Sequence, residues 1–158
     1  MSPWPKNVAL RILAGVWSSP AAILGFIVAL VLLAFKQVSS AGWSQGAWDL
    51  VARDNTWLGG YRKQWGGFSV GWCVFYLASS QSKDPMTRTH ERVHLRQQLI
   101  LGIIHWLFYV LFIIVVWLAC RSLHSYAANP FELDARIQSG DKIGNLGPEP
   151  GNDRWPWF

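Results

Sequence analysis

The chain has 158 residues, room for one domain and too few for two substantial ones. Just over half of it is apolar (51%), and its formal net charge is +5. The central bases Lys36, Arg53, Arg62, Lys63, Lys83, Arg88, Arg92 and Arg96 are dispersed and form no basic run with interleaved aromatics. That excludes a nucleic-acid partner, and attraction to anionic lipid headgroups accounts for the bases more simply.

The apolar residues gather in two blocks, at 12–35 and 99–120. Eleven tryptophans accompany them. Tryptophan suits the membrane–water interface, because its ring is apolar and its N–H polar. The composition is therefore that of a membrane protein with lipid as a partner. The two cysteines, Cys73 and Cys120, lie in apolar runs and make no disulfide framework.

In chain order, residues 1–11 are a short basic-aromatic lead. Ser19-Pro20 predicts a helix cap followed by a first-turn proline, with the helix running to about Gln37. Its unbroken apolar core is only about 15 residues, short for a perpendicular span unless residues 13–17 join it. Small residues follow at 39–41 and could mark a cleaved leader. The chain as it begins at Met1 retains the block, so the expectation is an anchor.

Residues 39–48, SSAGWSQGAW, read as a small-residue linker. Beyond them lie turn signals at Asp54-Asn55, Gly59-Gly60 and Gly66-Gly67, with short β-branched and aromatic runs between. Phe68, Val70, Trp72, Val74 and Tyr76 alternate with smaller residues. That pattern predicts a small antiparallel sheet of about three strands. Asp84-Pro85 is the next cap-plus-proline helix start, and Asn129-Pro130 opens a final short helix. From Gly140 the chain is rich in glycine and proline and reads as an extended tail, anchored by Trp155, Trp157 and Phe158.

The chemistry gathers in THERVHLRQQ, residues 89–98. His90 and His94 are four apart, so on a helix their Cβ atoms lie about 5–6 Å from each other on one face. Two imidazoles so placed can share one zinc ion at about 2.0–2.1 Å, as ligands. Glu91, set to the side, can act as the general base that takes a proton from water. The same letters also suit the solvated first turns of a charged helix, and HExxH is short enough to arise by chance.

A third ligand is needed. His105 shares a face with His94 but lies about 16 Å along a straight helix, too far unless the helix breaks. In apolar surroundings it reads as a packed, hydrogen-bonded histidine, and His124 is a weak candidate. Glu132 and Asp134 are the carboxylates, but Asn129-x-x-Glu132 also resembles a capping box.

HERVHLRQQ followed by NPFELDA resembles the HErvHvrQ…NPFEreA pattern of a group of small bacterial membrane-associated proteins. GGFSVGWCVFYLA resembles the glycine-bearing strand that precedes their motif. The likeness covers about residues 60–137. Members are regarded as zinc metallopeptidases of the gluzincin type. The resemblance implies that His90, His94 and Glu132 bind Zn2+, that Glu91 is the catalytic base, and that the site of action is a bacterial inner membrane. This chain differs in its longer, more continuous second apolar block.

That block poses a geometric conflict. Residues 99–118, about 20 in number, could span a bilayer of about 30 Å as one helix. His94 and Glu132 would then lie on opposite sides. A break at Gly102, with the chain doubling back, would bring them together at one face. Zinc's need for a third ligand favours the doubling back.

The expected fold is thus an α+β membrane protein. An N-terminal apolar helix and a small antiparallel sheet precede the HExxH helix. That helix continues into an apolar helical hairpin or transmembrane helix, then a short C-terminal helix and a tail. The expected segments are a basic lead with membrane helix (1–38), a zincin-like membrane-associated domain (39–140) and the Gly/Pro/Trp tail (141–158). The expected function is a membrane-associated zinc-dependent hydrolase, most simply a metallopeptidase acting on a peptide. The alternative is a non-catalytic accessory or structural subunit of a larger membrane complex, packing against other membrane subunits, with the motif degenerate or structural.

Overall fold

The protein is represented by a computed structural model that describes residues 7–63, 66–120 and 129–140. His124 and the aromatic tail lie outside the described residues.

Helix α1 spans Val8–Ala34 without interruption, capped by the Asn7 side chain on Leu10 N–H. Ser19-Pro20 does not start the helix as expected; it lies inside it. Proline lacks the N–H that would bond the Val16 carbonyl. The Ser19 hydroxyl donates to that carbonyl instead, at 2.7 Å, so the backbone stays satisfied across the proline. The joined helix is about 40 Å long and apolar enough to cross a membrane. Its buried stripe is made of small residues, Ser18, Ala21, Ala22, Gly25 and Ala29, spaced three or four apart. Its large side chains, among them Ile12, Leu13, Val16, Ile23, Ile27 and Leu30, are exposed.

The sheet has four strands in the order β1-β2-β4-β3. β1 (Val38–Ser44) and β2 (Ala47–Ala52) form an antiparallel hairpin. β3 (Gly67–Val70) and β4 (Cys73–Tyr76) form another, and β2 pairs with β4 in parallel. The sheet is therefore mixed, with one strand more than the alternation suggested. The expected linker supplies β1. Its serine-rich residues face outward and carry no apolar pattern, so pairing with β2 holds them in the sheet. The parallel pair arises because a crossover carrying a 3-10 helix (Leu58–Lys63) separates the hairpins.

The alternating run at 68–77 folds at Gly71, whose φ of +57° suits the first corner of a tight hairpin turn. The turn presses against α1 closely enough that a Cβ on Gly71 would collide with the Ala21 backbone, and one on Gly25 with the Val70 carbonyl. Small residues on both partners permit that approach. Leu50, Cys73, Phe75, Leu77 and Val38 form the core between α1 and the sheet.

A short helix α2 (Ser79–Lys83) leads to Asp84, which caps α3 (Pro85–Leu101) through Thr87 N–H at 2.9 Å. α3 is bolted to the β1–β2 hairpin by a buried ion pair. Arg92 Nη2 lies 2.7 Å from Asp49 Oδ1 and also donates to Ser44 Oγ at 2.9 Å. Gln98 ties the opposite hairpin, accepting from Gly71 N–H at 2.7 Å and donating to the Ser69 carbonyl at 3.2 Å. α3 and α4 (Ile104–Cys120) then meet at a 113° bend at Gly102. α5 (Pro130–Ser139) closes the described fold, with Gly140 in the left-handed region ending it.

Candidate metal centre

Three elements build the site. α3 supplies His90 and His94 one turn apart. α5 supplies Glu132. α4 crosses behind them because of the Gly102 bend. Gly102 has φ +59° and ψ −143°, a conformation essentially reserved for glycine, and a Cβ there would also strike the Trp17 indole. Trp17 Nε1 donates to the Ile100 carbonyl at 3.0 Å, so α1 braces the bend from outside.

α5 is gripped from both neighbours. The Asn129 side chain caps it through Phe131 N–H at 3.0 Å while donating to the Tyr109 carbonyl of α4 at 3.1 Å. Gln97 of α3 donates to the Phe131 carbonyl at 3.0 Å and to Asp134 Oδ2 at 2.9 Å. Glu132 is thereby turned inward and buried. Asn129 does the capping, and the Glu132 carboxylate points to the histidines and Tyr109.

His90 Nε2 lies 3.1 Å from His94 Nε2 and 3.3 Å from Glu132 Oε2; His94 Nε2 lies 3.2 Å from Glu132 Oε1. Ligands at about 2.0–2.1 Å from a tetrahedral ion stand about 3.4 Å apart, so these spacings fit a zinc-sized ion. Two imidazole nitrogens and a carboxylate oxygen also make a donor set that zinc accepts. The three residues form a cluster able to hold a metal ion.

The tautomer of His94 follows from its neighbour. The Gln97 amide nitrogen is committed to two oxygen acceptors, so its Oε1 faces His94 Nδ1 at 2.9 Å. In the neutral, ligating form of the ring Nδ1 then carries the proton and the Nε2 lone pair is directed at the cluster.

The charges of the cluster are strongly coupled. Burial pushes the Glu132 carboxyl up, but hydrogen bonds from His90, His94 and Tyr109 outweigh it and hold the group well below the usual carboxylate range. Burial pushes His94 down; the hydrogen bond and charge of Glu132 overcome that and raise it to about 9. Glu91 differs from Glu132. Burial raises its carboxyl, and His94 and His90 only partly oppose the rise.

Glu91 packs over β3, where a Cβ on Gly67 would stand 3.2 Å from its Oε1. Its Oε2 is buried with no hydrogen-bond partner among the described residues. A cavity of about 300 Å³ joins these groups, walled by Phe68, Trp106 and Ile113 and bearing Glu91, His94 and Glu132 on its polar side.

No family model, characterised protein or solved structure matches this chain. The cluster itself, a His-Glu-x-x-His helix with a downstream glutamate, resembles a gluzincin zinc motif.

The structure brings together His90, His94, Glu91 and Glu132, all of them sequence candidates. Arg96 stays out at the solvent-exposed face, whereas Gln97 lies directly behind His94. His105 is buried and packed as expected, against aromatic rings, and neither ring nitrogen has a hydrogen-bond partner among the described residues. Tyr109 was not among the sequence candidates. It looks like an ordinary member of an apolar run, and only the bend reveals its hydroxyl beside Glu132.

Proposed function

We propose that the protein is a membrane-associated zinc-dependent hydrolase, acting as a peptidase. The observation that carries this reading is the convergence of His90, His94 and Glu132 to within 3.1–3.3 Å, with the buried Glu91 facing the same cavity. A zinc ion held there would polarise a carbonyl and acidify water.

The chain's own residues supply the rest. Glu91, with its carboxyl raised and Oε2 without a hydrogen-bond partner among the described residues, is placed to accept a proton and pass it to a leaving amine. Gln97 holds the His94 ring in its ligating orientation, and Tyr109 steadies the Glu132 carboxylate at 2.6 Å. β3 is an edge strand, and its residues Gly67, Phe68 and Ser69 line the cavity. An extended peptide could lie along that edge, with Gln98 already occupying the Ser69 carbonyl.

Two features support a membrane location. α1 is long and apolar enough to cross. α4 exposes Leu107, Val110, Leu111, Ile114 and Leu118, as a helix dipping into lipid from the Gly102 bend would.

The deciding measurement is the metal content of the purified protein beside its Glu132→Ala variant. Zinc in the first and not the second supports the site. Zinc in neither returns the protein to the accessory-subunit alternative. Glu91→Gln should keep its zinc and lose proteolysis; full proteolysis in that variant would remove Glu91 from its role.

A further inference from the structure

The cavity beside the cluster holds polar groups that the proposed hydrolysis does not use. His105 sits on α4, one residue past the start of the helix, and the Gly102 bend turns it back toward α3. It is 2% exposed, and neither Nδ1 nor Nε2 has a hydrogen-bond partner among the described residues. Beside it, Trp106 Nε1 is also buried and unpartnered among the described residues. Both side chains line the same cavity as His94 and Glu132.

A buried imidazole left without partners is costly, and native proteins rarely keep one unless something visits it. Either tautomer of the neutral ring presents an N–H. The rings around it are Trp106, Tyr109 and Phe131, whose centroids lie 5.7, 5.8 and 4.8 Å away, and they offer it packing alone. The missing partner is therefore an acceptor that arrives in the cavity. The apolar walls, Phe68, Trp106 and Ile113, describe what surrounds that acceptor. A carbonyl flanked by an apolar side chain meets both demands, whereas a carboxylate or phosphate would enter these walls at a heavy desolvation cost.

We infer that His105 donates a ring N–H to the carbonyl oxygen of a bound peptide whose neighbouring apolar side chain fills the cavity. The assignment rests on the peptidase reading and names the substrate class for it. His105 is then a binding residue that discriminates by an otherwise unpaired donor. A site built to hydrogen-bond its ligand penalises loss of that bond far more than a purely apolar pocket penalises a missing methylene.

The test uses the full chain in detergent micelles, loaded with zinc, and a leucine-bearing peptide hydroxamate as probe. Zinc content, calorimetric affinity for the probe and the imidazole 15N resonances are measured on wild type, His105→Phe and His105→Gln. The phenylalanine preserves aromatic packing without a donor, and the glutamine keeps a donor. His105→Phe should retain zinc and bind the probe about tenfold more weakly, the worth of one hydrogen bond. His105→Gln should recover much of that loss. In wild type, the His105 resonance, identified by its absence from the variants, should move when the probe binds. Equal affinity in wild type and His105→Phe, or an unmoved His105 resonance, overturns the assignment while leaving the zinc site standing. A wild-type protein that takes up no zinc overturns the peptidase reading and this inference with it. If His105→Phe does not fold, the glutamine variant and the wild-type resonance still decide.

Discussion

Tyr109 donates its phenolic proton to Glu132 Oε1 at 2.6 Å, reaching from α4 to α5 across the cavity beside the histidine pair. The bond fixes the orientation of the carboxylate at the oxygen that also faces His94 Nε2. Groups that orient metal ligands typically contribute 10–100-fold to affinity. Tyr109→Phe should therefore bind zinc about 10- to 100-fold more weakly while keeping the fold. Competition against a chromophoric chelator measures this, and an unchanged affinity would show the hydroxyl to be irrelevant to the site.

Metal uptake should release protons. His94 is raised to about 9, so without metal it is protonated at neutral pH. A ligating imidazole must be neutral, so the cation displaces that proton. The sign follows: apparent zinc affinity strengthens as pH rises toward about 9 and weakens as pH falls below it. Calorimetry in buffers of differing ionisation enthalpy reads the released protons directly. Heats independent of the buffer would contradict the Glu132–His94 coupling.

Gly102 is the residue on which the site's closure turns. At φ +59° and ψ −143° a side chain is strained, and a Cβ would press on the Trp17 ring. Gly102→Ala should destabilise the fold by about 2 kcal/mol or more. Because straightening the bend carries α4, and with it Tyr109, away from Glu132, zinc affinity should fall as well. Thermal melting with parallel zinc titration tests both. A variant with the wild-type melting temperature and wild-type affinity would mean the bend has another cause.

Asp49 neutralises the buried Arg92. Removing one partner of such a pair leaves an unpaired buried charge, so Asp49→Ala should cost about 3–5 kcal/mol in unfolding experiments. The double variant with Arg92→Met should recover most of that, since an apolar pair of similar volume avoids the desolvation cost. Additive losses in the double variant would argue against the pairing as the source.

Much of the chemistry was legible because it is local. Asp84-Pro85 and Asn129-Pro130 start α3 and α5 through side-chain caps that reach only two or three residues ahead. The helical period alone places His90 and His94 together. Glycine at 102 marked a break, and the break is there. Other features were hidden for physical reasons that can be named. Ser19 replaces the hydrogen bond that Pro20 forgoes, so an expected helix start lies inside a continuous helix. β1 has no apolar alternation and exists only through its partner strand.

The sequence by itself determined the donor types, the spacing of the two histidines, the helix starts and the two apolar blocks, because caps and periodicities are set by near neighbours. Tertiary structure alone decided whether Glu132 is a cap or a prospective ligand. That outcome depends on a 113° bend braced by Trp17 and on α5 being held by Gln97 and Asn129. Each of those contacts joins residues far apart in the chain, and no local pattern records them.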